Sequence, residues 1–437
     1  MKLLMIGAFP PRKAAEADHA FYLSQHLADC GLDVHVLTTR GSVSPKHPQV
    51  RLYPIIKDWS WSDLPCLKRM VRSCSPDAIV LVYTRGVYDG HPMITFSPTL
   101  CKTLLPRVPF VTLFEDAPSI PAAADTRSSL VRRAFRSGVA LCRTLMRRPP
   151  IVVSAVRMGM ALWAGRENLD DKYGTLLRDS DRVIVVSESA RAGLAARFSA
   201  VVDKSVLIPP PPLLRVSPEN NGVTRQSFRE RLGINRDDWV IVYFGYIYPG
   251  KGVETLFKAF KILSAQRADV RLMMVGGDIE LKNHSSYIRE IHRMPKAMGI
   301  HDKVTWTGGY AWDSDEGSGY LRAADICVLP VDSGISLHHS SFAAAAVHGL
   351  PVLTTCGETL ERPFVHKKNV FLCSPQDPEA MEQGMETLIE SSEIRQNLRA
   401  GVLKLAEEWY SWETATRRTI ATLDEIVHEN DRGKASL

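Results

Sequence analysis

One stretch constrains the chain more than any other: Cys327 to Thr355, CVLPVDSGISLHHSSFAAAAVHGLPVLTT. Cys327-Val328-Leu329-Pro330 ends an apolar run of the kind that forms a buried strand. Gly334 to Ser340 is a small-residue loop carrying His338 and His339. Ser341 to His348 is rich in alanine and therefore helix-prone, and Gly349 with Pro351 stops it before a second strand at Val352 to Thr355. Strand, small-residue loop and helix start gather backbone N–H groups around a concave spot at the carboxyl end of a sheet. In α/β proteins that is where anions and nucleotides bind.

The same grammar recurs along the chain. Lys2 to Gly7 is an apolar strand, Ala17 to Cys30 has helical spacing closed by Gly31, and Val34 to Thr38 is the next strand. Further buried strands are expected at Ala78–Val82, Pro109–Leu113 and Arg182–Val186. Val206-Leu207-Ile208 then runs into Pro209 to Pro212, a stiff connector that continues neither strand nor helix. After a polar stretch from Asn221 to Asp238, the pattern restarts: strand Trp239–Phe244, loop Gly245–Gly252, helix Val253–Leu263, and strands at Val270–Val275 and Lys303–Thr307. Met381 to Val427 reads as helices, with Trp409, Trp412 and Leu423 as anchors. At 437 residues the chain is too long for one ordinary core. The fold class is therefore α/β, two doubly wound Rossmann-like domains joined by a proline-rich linker, with a cleft between them suited to a large polar ligand.

Composition and motif content exclude several classes. The net charge of +6 suits anionic small molecules or a membrane surface but is too small to argue for nucleic acid. No apolar run reaches bilayer length; Ile151 to Gly165 comes nearest and contains Arg157. The 8 cysteines are scattered without a C-x-x-C pair, which favours reduced thiols in a cytosol over disulfides or zinc. Neither half has the G-x-G-x-x-G of a dinucleotide site, and P-loop, H-E-x-x-H and G-x-S-x-G motifs are missing.

The candidate residues are few. Lys251 lies between Gly250 and Gly252, after a strand and before a helix, where a cation with helix N–H groups suits a diphosphate. The alternative is a surface lysine, but the flanking glycines allow close backbone approach and favour function. Asp179-Ser180-Asp181 and Asp313-Ser314-Asp315 match a short acidic metal signature, yet each is more simply a turn or cap. His338 and His339 are neighbours that should point differently, a poor metal pair but suitable as cations or donors over a phosphate. Glu115 and Asp116 end a strand, where they serve either to orient sugar hydroxyls or a proton transfer, or as a loop cap. Arg132, Arg133, Arg136, Arg143, Arg147 and Arg148 crowd a segment with Val131, Phe135, Val139, Cys142 and Met146 at helical spacing. That segment is either a helix with a solvated basic face or a basic amphipathic helix on an anionic membrane or polyanionic acceptor.

MKLLMIGAFPPRK with GLDVHVLTT resembles the N-terminal half of the family-4 retaining glycosyltransferases of GT-B architecture. FGYIYPGKGVETLFKAF resembles their donor-phosphate loop, and AADICVLP with AVHGLPVLTT their most specific C-terminal block. The resemblance implies transfer of a sugar from a nucleotide-sugar to a glycan, lipid-linked or other glycoside acceptor, with retention at the anomeric carbon and no cofactor or required metal. Lys251 would neutralise the leaving diphosphate. Ala14 and Ala15 would face the same phosphates by backbone. Gly334, Ser336, Leu337, His338 and Ser340 would hold the donor, with Gly245, Tyr246, Gly308 and Ala344 lining it. Lys251, Ser336 and Glu115 are the implied catalytic set, and Glu115 with Asp116 the acceptor side. The domains expected are 1–208 for the acceptor, 209–415 for the donor and a helix over 416–437 packing back towards the first. The implied setting is cytoplasmic, at the inner face of a membrane where the Arg132–Arg148 segment could touch it, in cell-envelope polysaccharide synthesis. The alternative is a GT-B binding or scaffold subunit without transfer activity.

Several positions depart from the family pattern. Its two Glu residues, separated by seven others, fall on Ser336 and Ala344. Its Arg before the loop lysine is replaced at the nearest place by Tyr246, its first-loop Gly-Gly reads Ala14-Ala15, and its acceptor-side His is Phe114. GISLHH looks like a branch variant, G-(V/I)-S-L followed by two basic residues, with His338 and His339 in the basic places.

Overall fold

In the computed structural model the residues described are 1–116, 173–196, 198, 200–217, 225–279 and 284–435, with the side chains of 430–435 left aside. The Arg132–Arg148 segment falls outside them. The chain divides into two compact units, one made of Met1–Arg12, His19–Ile208 and Thr416–Leu437, the other of Lys13–Asp18 and Pro209–Ala415. The sequence places Lys13–Asp18, the loop end and first helical turn after the first strand, in the first half; they group instead with the second unit.

Each unit is built on one parallel sheet. The first has seven strands, β1 (Lys2–Ile6), β2 (Asp33–Thr39), β3 (Val50–Ile56), β4 (Ala78–Tyr83), β5 (Phe110–Phe114), β6 (Arg182–Val185) and β7 (Ser205–Leu207). Their order is β3-β2-β1-β4-β5-β6-β7 and every pair is parallel. The central strands are apolar on both faces because helices cover both; β4 and β5 are buried along their whole length. β3 escaped the sequence reading because it is an edge strand of mixed polarity, Val-Arg-Leu-Tyr-Pro-Ile-Ile, with Pro54 where an inner strand would need a donor. Helix Ala15–Asp29 follows β1, and Gly31 caps it as expected, accepting a left-handed conformation with φ of 89°. The last helix, Trp412–Ala435, returns its C-terminal part to this unit, where Glu425 and Glu429 pair with Arg182 at 3.5 and 3.0 Å.

The second sheet has six strands in the order β10-β9-β8-β11-β12-β13. They are β8 (Trp239–Phe244), β9 (Val270–Val275), β10 (Val304–Gly308), β11 (Ile326–Leu329), β12 (Val352–Thr355) and the short edge strand β13 (Phe371–Cys373). Its pairs are likewise parallel. The core of this unit gathers Phe257, Phe260 and Leu263 from helix Val253–Gln266, the strand residues Ile241, Leu272 and Val328, and Met385 and Leu388 from helix Pro378–Glu390. The expected helical tail is three helices, Pro378–Glu390, Ser392–Trp409 and Trp412–Ala435. Of its expected anchors, Leu423 is buried and the Trp412 indole donates to the Pro212 carbonyl at 3.0 Å, while fully buried Tyr410 rather than Trp409 is the largest side chain sealed at the turn between the last two helices.

One topological fact positions the site. β8 and β11 are neighbours, but the chain leaves β8 towards β9 and leaves β11 towards β12, on the opposite side. Loops after two strands that diverge in this way open a crevice at their carboxyl ends, which is where open α/β sheets bind ligands.

Candidate functional site

The loop after β8 and the loop after β11 are locked together at that switch point. Gly252 has a φ of 67° and precedes helix Val253–Gln266. A Cβ there would lie 1.8 Å from the Pro330 carbonyl oxygen, so only glycine lets the lysine loop close on the end of β11. The Gly250 carbonyl accepts from the Asp332 N–H at 3.0 Å, adding a second tie. Lys251, held between these points, is half-buried, with Nζ 4.8 Å from the centre of the Tyr248 ring.

The loop Gly334–Ser340 is equally constrained. Gly334 has a φ of 85°, and a Cβ on it would come within 2.1 Å of the Gly357 amide nitrogen beyond β12. The Ile335 N–H donates to the Thr355 carbonyl at 2.9 Å. Ser336, Leu337 and His339 are buried, whereas His338 keeps partial exposure. The Ser336 hydroxyl bonds Nδ1 of His338, and Nδ1 of His339 meets the main chain of the same serine, the carbonyl at 3.0 Å and the N–H at 3.2 Å. The sequence expectation that the two histidines point differently is corrected here. Their ring centres are 3.9 Å apart, because the tight turn folds both onto Ser336.

Electrostatics ties the two loops. Burial, with the Lys251 charge second, pushes His338 down to about 3. Burial also lowers His339, helped by His338 and Lys251. Both imidazoles are therefore neutral near pH 7, donors or acceptors rather than the cations the sequence also allowed. Lys251, His338 and His339 come together although more than eighty positions separate them in the chain. Helix Ser340–Val347 starts directly after this cluster.

Gly245 ends β8, with its N–H on the Val275 carbonyl at 2.9 Å, and Tyr246 follows it, its carbonyl accepting from the Tyr243 hydroxyl at 3.0 Å. Gly308 ends β10, and its carbonyl accepts from Gly276. Ser340 opens the helix, and Ala344, one turn further on, has no exposed surface; its carbonyl accepts from Nδ1 of His348 at 2.7 Å. Ala14 is buried and Ala15 begins the helix after β1, the Ala14 carbonyl accepting from Ala17 and Asp18, within the segment that groups with the second unit. Glu115 and Asp116 follow β5. Glu115 Oε1 lies 2.7 Å from Nδ1 of His19, both side chains nearly sealed from solvent, and Asp116 accepts from the Tyr173 hydroxyl at 3.0 Å. Phe114, where the family resemblance places a histidine, is fully buried between the Tyr83 and Tyr173 rings.

The two acidic motifs are structural. Asp181 accepts from the Phe110 N–H and from Lys102, both at 2.7 Å, and Asp179 is held by Arg178 and Thr99. Asp315 pairs with Arg215 at 3.2 Å. Among the described residues no three His, Cys, Asp or Glu side chains gather as a metal site. Two residues were missed in the sequence. Glu361, buried, accepts the Leu337 N–H at 2.8 Å, and His19 meets Glu115. Neither belongs to a local motif; each reaches its partner only through the tertiary fold.

Comparison with known proteins now bears on this geometry. Residues 238–391 match the family model described as glycosyl transferases group 1, and they contain both loops of the switch point. The chain is a GT-B protein with a group 1 glycosyltransferase domain. The mannosylfructose-phosphate synthase of Agrobacterium fabrum is 26% identical over 207 residues, 46% of this chain and 43% of that protein. The D-inositol 3-phosphate glycosyltransferase of Streptomyces scabiei is 24% identical over 268 residues, 59% and 56% of the two chains. The chain thus spans about half the length of the curated relatives it matches. Among solved structures, Anabaena HepE in complex with UDP and glucose superposes with a TM-score of 0.68 at 16% identity, covering 97% of this chain and all of that one. WaaG, a glycosyltransferase involved in lipopolysaccharide biosynthesis, gives 0.60 at 15% identity, covering 95% and 98%. These likenesses show the fold. Among the described residues of this GT-B glycosyltransferase-domain protein, no helix is long and apolar enough to cross a membrane.

Proposed function

We propose that this protein is a retaining glycosyltransferase that moves a sugar from a nucleotide-sugar to a glycan, glycolipid or other glycoside acceptor, without a required metal. The observation that carries the reading is the convergence of Lys251 with the neutral His338 and His339 at the switch point, between two loops that each lead into a helix. The Lys251 ammonium offsets the charge that grows on the diphosphate as its bond to the anomeric carbon breaks. With Nδ1 engaged by Ser336, His338 offers Nε2–H to a phosphate oxygen. The acceptor hydroxyl attacks the face that the diphosphate leaves, and a phosphate oxygen takes its proton. The step then needs positioning more than a strong side-chain base. Glu115, oriented by His19, and Asp116 are assigned to acceptor hydroxyls. HepE, with a similar fold, was solved with UDP and glucose, which supports a nucleotide-sugar as donor. WaaG's part in lipopolysaccharide biosynthesis supports an envelope acceptor, and with it a place at the inner face of a membrane.

A second reading, a GT-B binding or scaffold subunit without transfer, is favoured by one observation: Ser336 and the sealed Ala344 supply no carboxylate for the donor. The test is to incubate the protein with UDP-, GDP-, ADP- and dTDP-sugars and a panel of glycosides, and to read the anomeric configuration of the product by NMR. Transfer with the donor's configuration kept is the predicted result. Inversion would refute the retaining mechanism, and tight nucleotide binding without transfer to any glycoside would favour the second reading.

A further inference from the structure

The segment Cys356–Phe364, between β12 and β13, touches the 334–340 loop and its helix at three points. At one end a Cβ on Gly334 would meet the Gly357 amide nitrogen, and a Cβ on Gly357 the Ser333 carbonyl oxygen, each at 2.1 Å. At the other, Phe364 meets Phe342, on the helix that follows the loop, edge to face with ring centres 5.2 Å apart. Between them Glu361 sends its carboxylate to the Leu337 N–H at 2.8 Å. Glu361 is only 5% exposed, and Leu337 is fully buried. Leu337 stands between Ser336 and His338, so its peptide sets the direction in which both neighbours leave the chain.

We propose that Glu361 is a positioning residue for this loop, fixing the Leu337 peptide and through it the placement of Ser336 and His338 against Lys251. The proposal rests on the reading that the loop holds the donor. A carboxylate accepting a main-chain N–H is a stronger and shorter tie than a neutral acceptor makes, and burial keeps water from competing for it. The loop has no carboxylate of its own, since positions 336 and 344 are Ser and Ala. Glu361 brings one to it from a neighbouring segment, a place that the spacing of the organising stretch does not reveal. A purely apolar clamp, Phe364 on Phe342, would hold the helix but leave the loop peptide free to rotate.

The test compares Glu361→Ala, Glu361→Gln and Glu361→Asp with the wild type by hydrogen–deuterium exchange and by binding of UDP, GDP, ADP and dTDP. In Glu361→Ala the peptide covering 334–340 should exchange about tenfold faster while the β8 peptide is unchanged, and affinity for the preferred nucleotide should fall about tenfold, the scale of one lost charge-assisted bond. Glu361→Asp, too short to reach, should behave the same. Glu361→Gln, whose amide oxygen still accepts, should stay within about threefold of wild type. Unchanged loop exchange in Glu361→Ala and Glu361→Asp would overturn the proposal. So would equal loss of protection in β8, which would make Glu361 a residue of general stability. A wild type that binds none of the nucleotides would sink the donor reading, while the loop exchange would still decide whether Glu361 holds the Leu337 peptide.

Discussion

Lys251 is the residue on which the proposed chemistry turns, and its neighbours decide how it acts. Because it is half-buried on a loop fixed by backbone contacts, Lys251→Ala should leave the thermal unfolding temperature of the free protein nearly unchanged. The same variant should weaken nucleoside diphosphate binding by at least about tenfold, as judged by calorimetric titration, since a charge-assisted contact to phosphate is lost. His338 gives a prediction of different kind. Its folded pKa of about 3 lies below the ordinary 6.5 of a free imidazole. Between those values the unfolded chain binds a proton that the folded chain refuses, so this contribution to stability is whole above pH 6.5 and declines as pH falls towards 3. His348, pushed down to about 4 by burial, acts in the same direction. Urea unfolding at pH 7 and pH 5 should show wild type losing more stability between the two than His338→Asn does; equal losses would contradict the lowered pKa of that imidazole. At this scale the sequence was legible where chemistry is local. Lys251 between two glycines, and Ser336 with two histidines, announce themselves. Glu361 and His19 did not, because their meaning lies in partners 24 and 96 positions away.

At the scale of elements, strands buried on both faces were legible as apolar runs. The spans Trp239–Phe244, Val270–Val275 and Val352–Thr355 coincide with the observed β8, β9 and β12. Edge strands were not: β3 is mixed and carries Pro54, and β13 has three residues. Nor was the helix Arg225–Arg231 inside the polar stretch before β8, since Phe228 is its one buried apolar residue and the residue buried beside it is an arginine, Arg229. The loop glycines are where element and site meet. Gly252→Ala would set a methyl against the Pro330 carbonyl at a left-handed φ, so it should destabilise the second unit by about 2 kcal/mol or more and displace Lys251. Chemical denaturation checks the first effect and nucleotide titration the second. A variant as stable as wild type, binding normally, would mean that the lysine loop does not need its close seat on β11.

For the whole molecule, two parallel sheets of like build divide the chain, and each holds itself together by its own buried links. In the second unit that link is Arg229, 2% exposed, which donates to the carbonyls of Ala323, Arg236 and Asp238 and to Asp325 at 2.6 Å. Asp325 in turn accepts the Val240 N–H at 2.8 Å, so one ion pair fastens a helix to the central strands. Arg229→Met would take one of the two arginine partners from the partly buried Asp325, which keeps Arg225, and would strip a donor from the carbonyls of Ala323, Arg236 and Asp238. It should cost about 1–3 kcal/mol, read as an earlier unfolding step confined to the second unit. The tandem doubly wound design and the break at Pro209 were visible in the sequence, because periodicity and proline act locally. The regrouping of Lys13–Asp18 was not, because it depends on the folded surfaces. A nucleoside diphosphate bound at the β8–β11 switch point should be seen by thermal unfolding of the wild type and of Lys251→Ala against UDP, GDP, ADP and dTDP. One nucleotide, at a hundredfold excess over its dissociation constant, should stabilise the wild type by about 2.7 kcal/mol and the variant by far less. No stabilisation by any of the four, or an equal shift in both proteins, would contradict binding at this point.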